Sequence, residues 1–188
     1  MKRLTIMMCM VLALAFVSTG CASTGKTPDE KRAAILDMKN EVLGDLYKVR
    51  PDVRAQIKAA PGYAVFSNAN VNLIFASFGG GYGVVRDNAT GKHTYMKMGE
   101  VGIGLGLGIK DFRAVFVFHN RKVMKRFVDQ GWAFGAQADA AAKAGDKGAA
   151  VAGEVTIDNI TIYQLTESGL ALQATVKGTK YWKDKKLN

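Results

Sequence analysis

Two groups of basic side chains are placed for binding chemistry. Arg121, Lys122, Lys125 and Arg126 fall within two helical turns, with Lys110 and Arg113 upstream and only Asp111 among them. Lys177, Lys180, Lys183, Lys185 and Lys186 crowd the end of the chain around Tyr181 and Trp182, against Asp184 alone. Cations three and four residues apart on a helix share one surface. Each Lys or Arg near an anionic bilayer contributes about 1 kcal/mol, and Trp and Tyr are favoured at the water–lipid interface. Plain solubilisation explains the same residues equally well, so both readings stand.

A third pattern is made of glycine. Gly102, Gly104, Gly106 and Gly108 alternate with Ile103, Leu105, Leu107 and Ile109. On a strand, such alternation sends the glycines to one face and the aliphatics to the other. A bare glycine face lets another backbone, or a lipid chain, approach closely. Neither G-x-G-x-x-G nor a phosphate loop ending in Gly-Lys-Ser/Thr occurs, so nucleotide binding is not the reading.

Catalytic sets are missing from the sequence. His93 and His119 have no evident partner, and no nucleophile elbow, zinc-protease or calcium-loop pattern occurs. Asp139, Asp146, Glu154 and Asp158 read as a solvated face. A non-enzymatic protein without cofactor or metal is expected. The balance of 26 Lys+Arg against 16 Asp+Glu gives a net charge of +10. Nucleic acid would suit that charge, but the start of the chain points to export.

Lys2 and Arg3 precede a nearly unbroken apolar run over 6–16, and Ser18, Thr19 and Gly20 lead to Cys21. This reads as a secretory signal ending in a bacterial lipobox, with Ser18 where Leu is usual. It divides the chain into a signal over 1–20, a lipidated tether over 21–27 and one domain over 28–188. Cys21 would carry the lipid. Because Ala22 rather than Asp follows it, the lipoprotein pattern favours the outer membrane, facing the periplasm. Cys9 would leave with the signal, so no thiol would remain in the domain.

The elements that must position these residues change character at Pro61. Thr27-Pro28-Asp29-Glu30 is a capping box with Pro at the first helical position. Ile35, Met38, Val42, Leu46 and Val49 repeat at helical spacing behind it. A shorter helix is expected from Pro51 to just before Pro61. Beyond it, strands are expected over 63–66, 71–78, 82–86, 93–98, 112–118, 150–165 and 170–177, with a turn over 87–91 and a short helix over 121–127. Residues 132–144 are alanine-rich like a helix yet alternate like a strand, and strand is preferred. The fold class is therefore α+β: an N-terminal helix pair followed by a Gly-rich, curved antiparallel sheet or barrel-like β domain.

Taken in order, Ala60-Pro61-Gly62-Tyr63-Ala64-Val65-Phe66, Gly79-Gly80-Gly81-Tyr82-Gly83-Val84-Val85, the glycines from Gly99 to Gly108, and Tyr163 through Ser168-Gly169-Leu170 to Gly178 resemble the SYLF lipid-binding domain over roughly 50–182. The resemblance implies lipid binding, with phosphoinositides as ligands and actin association for some eukaryotic members, and it includes bacterial lipoproteins. The helix over 29–48 carries Lys31, Arg32, Lys39 and Lys48 against Asp29, Glu30, Asp37, Glu41 and Asp45. It lacks the basic character to which membrane binding is attributed in some eukaryotic members. Membrane lipids, chiefly anionic ones, are the expected partners through the two later basic groups, and actin is not expected. The rival expectation is a lipoprotein that scaffolds envelope proteins.

Overall fold

The computed structural model describes residues 25–73, 76–102, 108–133, 154–166, 169–170 and 177–188. Helix α1, Pro28–Val49, begins with the expected reciprocal cap: the Thr27 hydroxyl accepts from the Glu30 N–H at 3.2 Å, and the Glu30 carboxylate accepts from the Thr27 N–H at 3.1 Å. Its inner stripe buries Ile35, Met38, Val42 and Leu46, together with Lys39. Helix α2, Val53–Ala59, is shorter than expected at its start and ends ahead of Pro61.

The strands are β1 (Gly62–Leu73), β2 (Ala76–Asp87), β3 (His93–Gly102), β4 (Gly108–Phe118), β5 (Trp132–Ala133), β6 (Glu154–Ile157), β7 (Ile160–Thr166), β8 (Gly169–Leu170) and β9 (Lys177–Lys183), with helix α3 (Arg121–Gln130) after β4. They form one antiparallel sheet of order β5-β9-β3-β2-β1-β4-β7-β6, and β8 pairs with β7. The fold is α+β, with this sheet curled into a half-barrel.

Strand alternation splits the core in two. β1 sends Tyr63 and Val65 to one side and Ala64 and Phe66 to the other; β4 does the same with Val115 and Val117 against Ala114, Phe116 and Phe118. Helices α1 and α2 cover the first side, and α3 packs on the second. Both faces are thus buried along the central strands, which is why these segments read as continuous apolar runs rather than as alternating ones.

Two expected strands are hairpins instead. The segment 71–78 divides between β1 and β2, whose register brings Leu73 opposite Ala76. The segment 150–165 contains β6 and β7, joined through Asp158 and Asn159 at φ 53° and 60°. Two consecutive left-handed residues make the turn that matches strand twist, and Asp and Asn tolerate it better than other side chains. The turn over 87–91 is as expected. The Asp87 carboxylate accepts from the Ala89 and Thr90 N–H groups at 2.9 and 3.1 Å, and Gly91 takes φ 72°.

Gly102 closes β3 and Gly108 opens β4, strands of opposite direction with β2 and β1 between them. Gly102 and Gly108 therefore do not lie on one continuous strand. Gly104 and Gly106 fall outside the described residues, as do Cys21, the signal and most of 132–144; Trp132 and Ala133 are strand.

Candidate functional site

Helix α3 begins at Asn120, whose side chain accepts from the Lys122 N–H at 2.7 Å. Val123, Met124 and Phe127 turn inward. That spacing forces Arg121, Lys122, Lys125 and Arg126 outward, and all four are exposed. The expected basic surface exists, but it is partly neutralised. Arg121 pairs with Asp87 at 2.8 Å, and Arg126 pairs with Asp158. Burial alone would raise the Asp87 carboxyl, but the Thr90 and Ala89 N–H groups and Arg121 together hold it below the usual carboxylate range. Lys122 and Lys125 have no carboxylate partner among the described residues. Upstream, Arg113 reaches Glu41 and Asp45 of α1 at 3.0 and 3.3 Å, so it belongs to the other side of the sheet.

Strand β9 divides the C-terminal group. Lys183 reaches Asp129 of α3 at 3.4 Å. Tyr181, two residues earlier on the same side, enters the ring cluster with Phe127. Lys180 and Trp182 alternate to the opposite side. Trp182 is 39% exposed and, with Val49, is one of two exposed large apolar side chains among the described residues. Its ring sits beside Gly99 on β3, where a Cβ would come within 3.1 Å of it, so the aromatic covers a gap that glycine leaves. Lys177 opens β9 opposite Gly102. The fold thus brings Lys183 to the α3 surface and sets Lys180 and Trp182 on the reverse side.

A groove of about 200 Å³ runs between α3 and the β2–β3 hairpin. Val85, Met124 and Val128 supply its apolar lining, Lys92 and Lys125 its cations, and Asp87 and Asp129 its carboxylates. Sequence reasoning named only Lys125 of these. The others come from segments whose adjacency depends on the sheet order, and Met124 and Val128 read simply as the inner face of a helix.

The acidic residues read as a solvated face are partly engaged. Glu154 pairs with Arg50 at 2.8 Å, tying the end of α1 to β6, and Asp158 holds Arg126. His119 Nε2 lies 2.7 Å from the Thr161 hydroxyl. Among the described residues, no three His, Cys, Asp or Glu side chains group to hold a metal, and no helix is long and apolar enough to cross a membrane.

Residues 99–188 match the family described as Las17-binding protein actin regulator (Ysc84), the SYLF domain. The chain is also 36% identical over 162 residues to Beta cell expansion factor A of Aeromonas veronii. The chain belongs to the SYLF family. That alignment takes in 86% of the chain and spans 60% of the relative's length. The SYLF domain is associated with lipid binding.

Proposed function

We propose that this SYLF chain is a non-enzymatic lipid-binding protein of the cell envelope, anchored to the outer membrane through a lipidated Cys21 and facing the periplasm. Family membership supports the ligand class. The observation that carries the membrane-contact reading is the exposed Trp182, with the exposed Lys180 on the same side of β9. An exposed aromatic ring beside a cation suits the boundary between headgroups and water. On the α3 side, Lys122 and Lys125 supply the uncompensated charge, and the groove beneath Lys125 offers apolar lining of the size of a short acyl segment. Anionic phospholipid fits this balance better than a neutral one. The actin connection in the family's description is not carried over.

The test is vesicle flotation of the purified chain with phosphatidylglycerol or phosphatidylcholine at low and high salt. Preferential binding to phosphatidylglycerol that weakens with salt is expected, since exposed charges are screened over about 8–10 Å at moderate ionic strength. Trp182→Ala should lower binding while leaving the salt dependence unchanged, and Lys122→Gln with Lys125→Gln should flatten that dependence. Equal binding by all variants would move support to a protein-scaffolding role. For the anchor, Cys21→Ser should release the protein from membranes, and retention in high salt despite that change would refute lipidation.

A further inference from the structure

On the side covered by α1, register places Tyr63, Arg86 and His93 in one row across β1, β2 and β3. The next row of the same parity is Val65, Val84 and Tyr95, all within the α1-side core, which fixes the face. Lys39 approaches this row from α1, between Ile35 and Leu43 on the buried stripe, and is only 7% exposed. Two cations and an imidazole from three elements therefore converge.

None of them is satisfied. Among the described residues, the Lys39 and Arg86 side chains have neither ion pair nor hydrogen bond, and His93 Nε2 is buried without a hydrogen-bond partner. Burial, then Lys39, then Arg86 push the His93 imidazole below its ordinary value; burial and then Arg86 do the same to Lys39. Tyr63 also feels Arg86, and beyond it Tyr47, which lies under the Arg54 guanidinium at 4.5 Å. No carboxylate is among these groups. The acids of α1 look elsewhere: Glu41 and Asp45 are taken by Arg113, and Asp37 is exposed. Asp87 follows Arg86 but pairs with Arg121 across the sheet.

A buried cation left unpaired, such as Lys39, is costly, and a second positive charge facing it adds to the cost unless something of opposite charge completes the pair. We propose that Lys39, Arg86 and His93 form a binding site for a phosphate group. The guanidinium offers a two-pronged fork, the ammonium a point charge from above, and the imidazole a third donor once protonated; donors from three directions suit a tetrahedral oxyanion. Arg86 and His93 are partly exposed and give it access, with the buried Tyr63 as its floor. The site lies on the opposite face of β2 from the groove at Val85 and Asp87, so it stands independently of the lipid-contact surface proposed above.

The two histidines make the test internal to the protein. In a proton NMR titration of the full chain, inorganic phosphate, against sodium chloride of equal ionic strength, should raise the His93 pKa by about one unit. The ring-proton resonances of His119, whose Nε2 lies 2.7 Å from the Thr161 hydroxyl, should show no phosphate-dependent change. By linkage, that rise means about tenfold tighter binding to the protonated form. Phosphatidic acid vesicles form the second arm. If they reproduce the shift, a lipid headgroup fills the site; if only inorganic phosphate does, the occupant is a soluble phosphate. Lys39→Met should abolish the shift, and Arg86→Gln serves the same purpose should that variant fail to fold. An unmoved His93 under both probes, or a shift that survives the folded variants, would overturn the site.

Discussion

On the α3 side of the sheet, Phe66, Phe116, Phe118, Phe127, Trp132 and Tyr181 pack ring to ring, with paired centroids 4.6–6.2 Å apart. On the α1 side, the same strands present Val65, Val84, Val115 and Val117 among tyrosines, and Lys39 is buried nearby. Tyr163 there donates to the Gln56 side chain at 2.9 Å, and Arg50 lies 5.6 Å over its ring. Among the described residues, the buried charged side chains are Lys39 and Asp184, and neither lies on the aromatic side. One face holds together by dispersion and ring geometry, which neither pH nor salt alters much. The other buries hydroxyls and a cation, so its stability responds to protons and to anions.

The largest effect should come from breaking the aromatic face at its centre. Phe116 contacts Phe66, Phe127, Trp132 and Tyr181. Phe116→Ala should cost about 3–5 kcal/mol in urea unfolding. A loss under about 1 kcal/mol would show that the rings repack freely.

Close approach within β2 should rank next. A Cβ on Gly83 would strike the Phe66 ring and the Val65 carbonyl, whereas one on Gly80 meets nothing within 4 Å. Gly83→Ala should therefore lose about 1–3 kcal/mol by overpacking. Gly80→Ala should stay within about 1 kcal/mol of the parent, or gain from a stiffer unfolded chain. Equal melting of the two variants would remove the case for close packing at Gly83.

These two glycines illustrate what the sequence could show. Local chemistry was legible: Thr27 to Glu30 cap α1, and the turn from Asp87 to Gly91 closes through the side chain that its composition suggests. The Asp158-Asn159 turn was equally local, yet it hid inside an apolar run because Val155 and Ile157 precede it and β7, buried on both faces, follows it. Adjacency was not legible. That Gly83 backs onto Phe66, that Lys183 meets α3 while Trp182 faces away, and that Arg86 lies between Tyr63 and His93 all follow from register and strand order. Lys39 did leave a trace. It falls four residues after Ile35 and four before Leu43, on the buried stripe, where a lysine is out of place.

The tyrosine face should yield a smaller loss. Burial pushes the Tyr163 hydroxyl up to about 12, so it remains a proton donor to Gln56 throughout the usual pH range. Tyr163→Phe should cost about 0.5–1.5 kcal/mol, with no pH dependence below pH 9. A change that varied strongly between pH 6 and 8 would mean that the hydroxyl is coupled to the cations instead.

The smallest expected effect falls on Lys39, and its sign separates the two faces best. The folded state depresses the ammonium's pKa, through burial first and Arg86 second. An unfolded chain keeps that proton up to about pH 10. Between the two values the unfolded state binds more protons, so stability should rise with pH across that interval. His93 is depressed as well, and it should add an earlier rise that ends near the ordinary imidazole value of about 6.5. Lys39→Met keeps the length and apolar stem while removing the charge. In phosphate-free buffer at pH 7 it should melt within about 0.5 kcal/mol of the parent or above it, and the alkaline rise should disappear. Because Lys39 also depresses His93, the acid-side rise should shrink and move toward the ordinary imidazole range. A loss above about 1 kcal/mol with the alkaline rise intact would mean that the ammonium stabilises the empty fold. The α1 face would then be as closed to anions as the aromatic one.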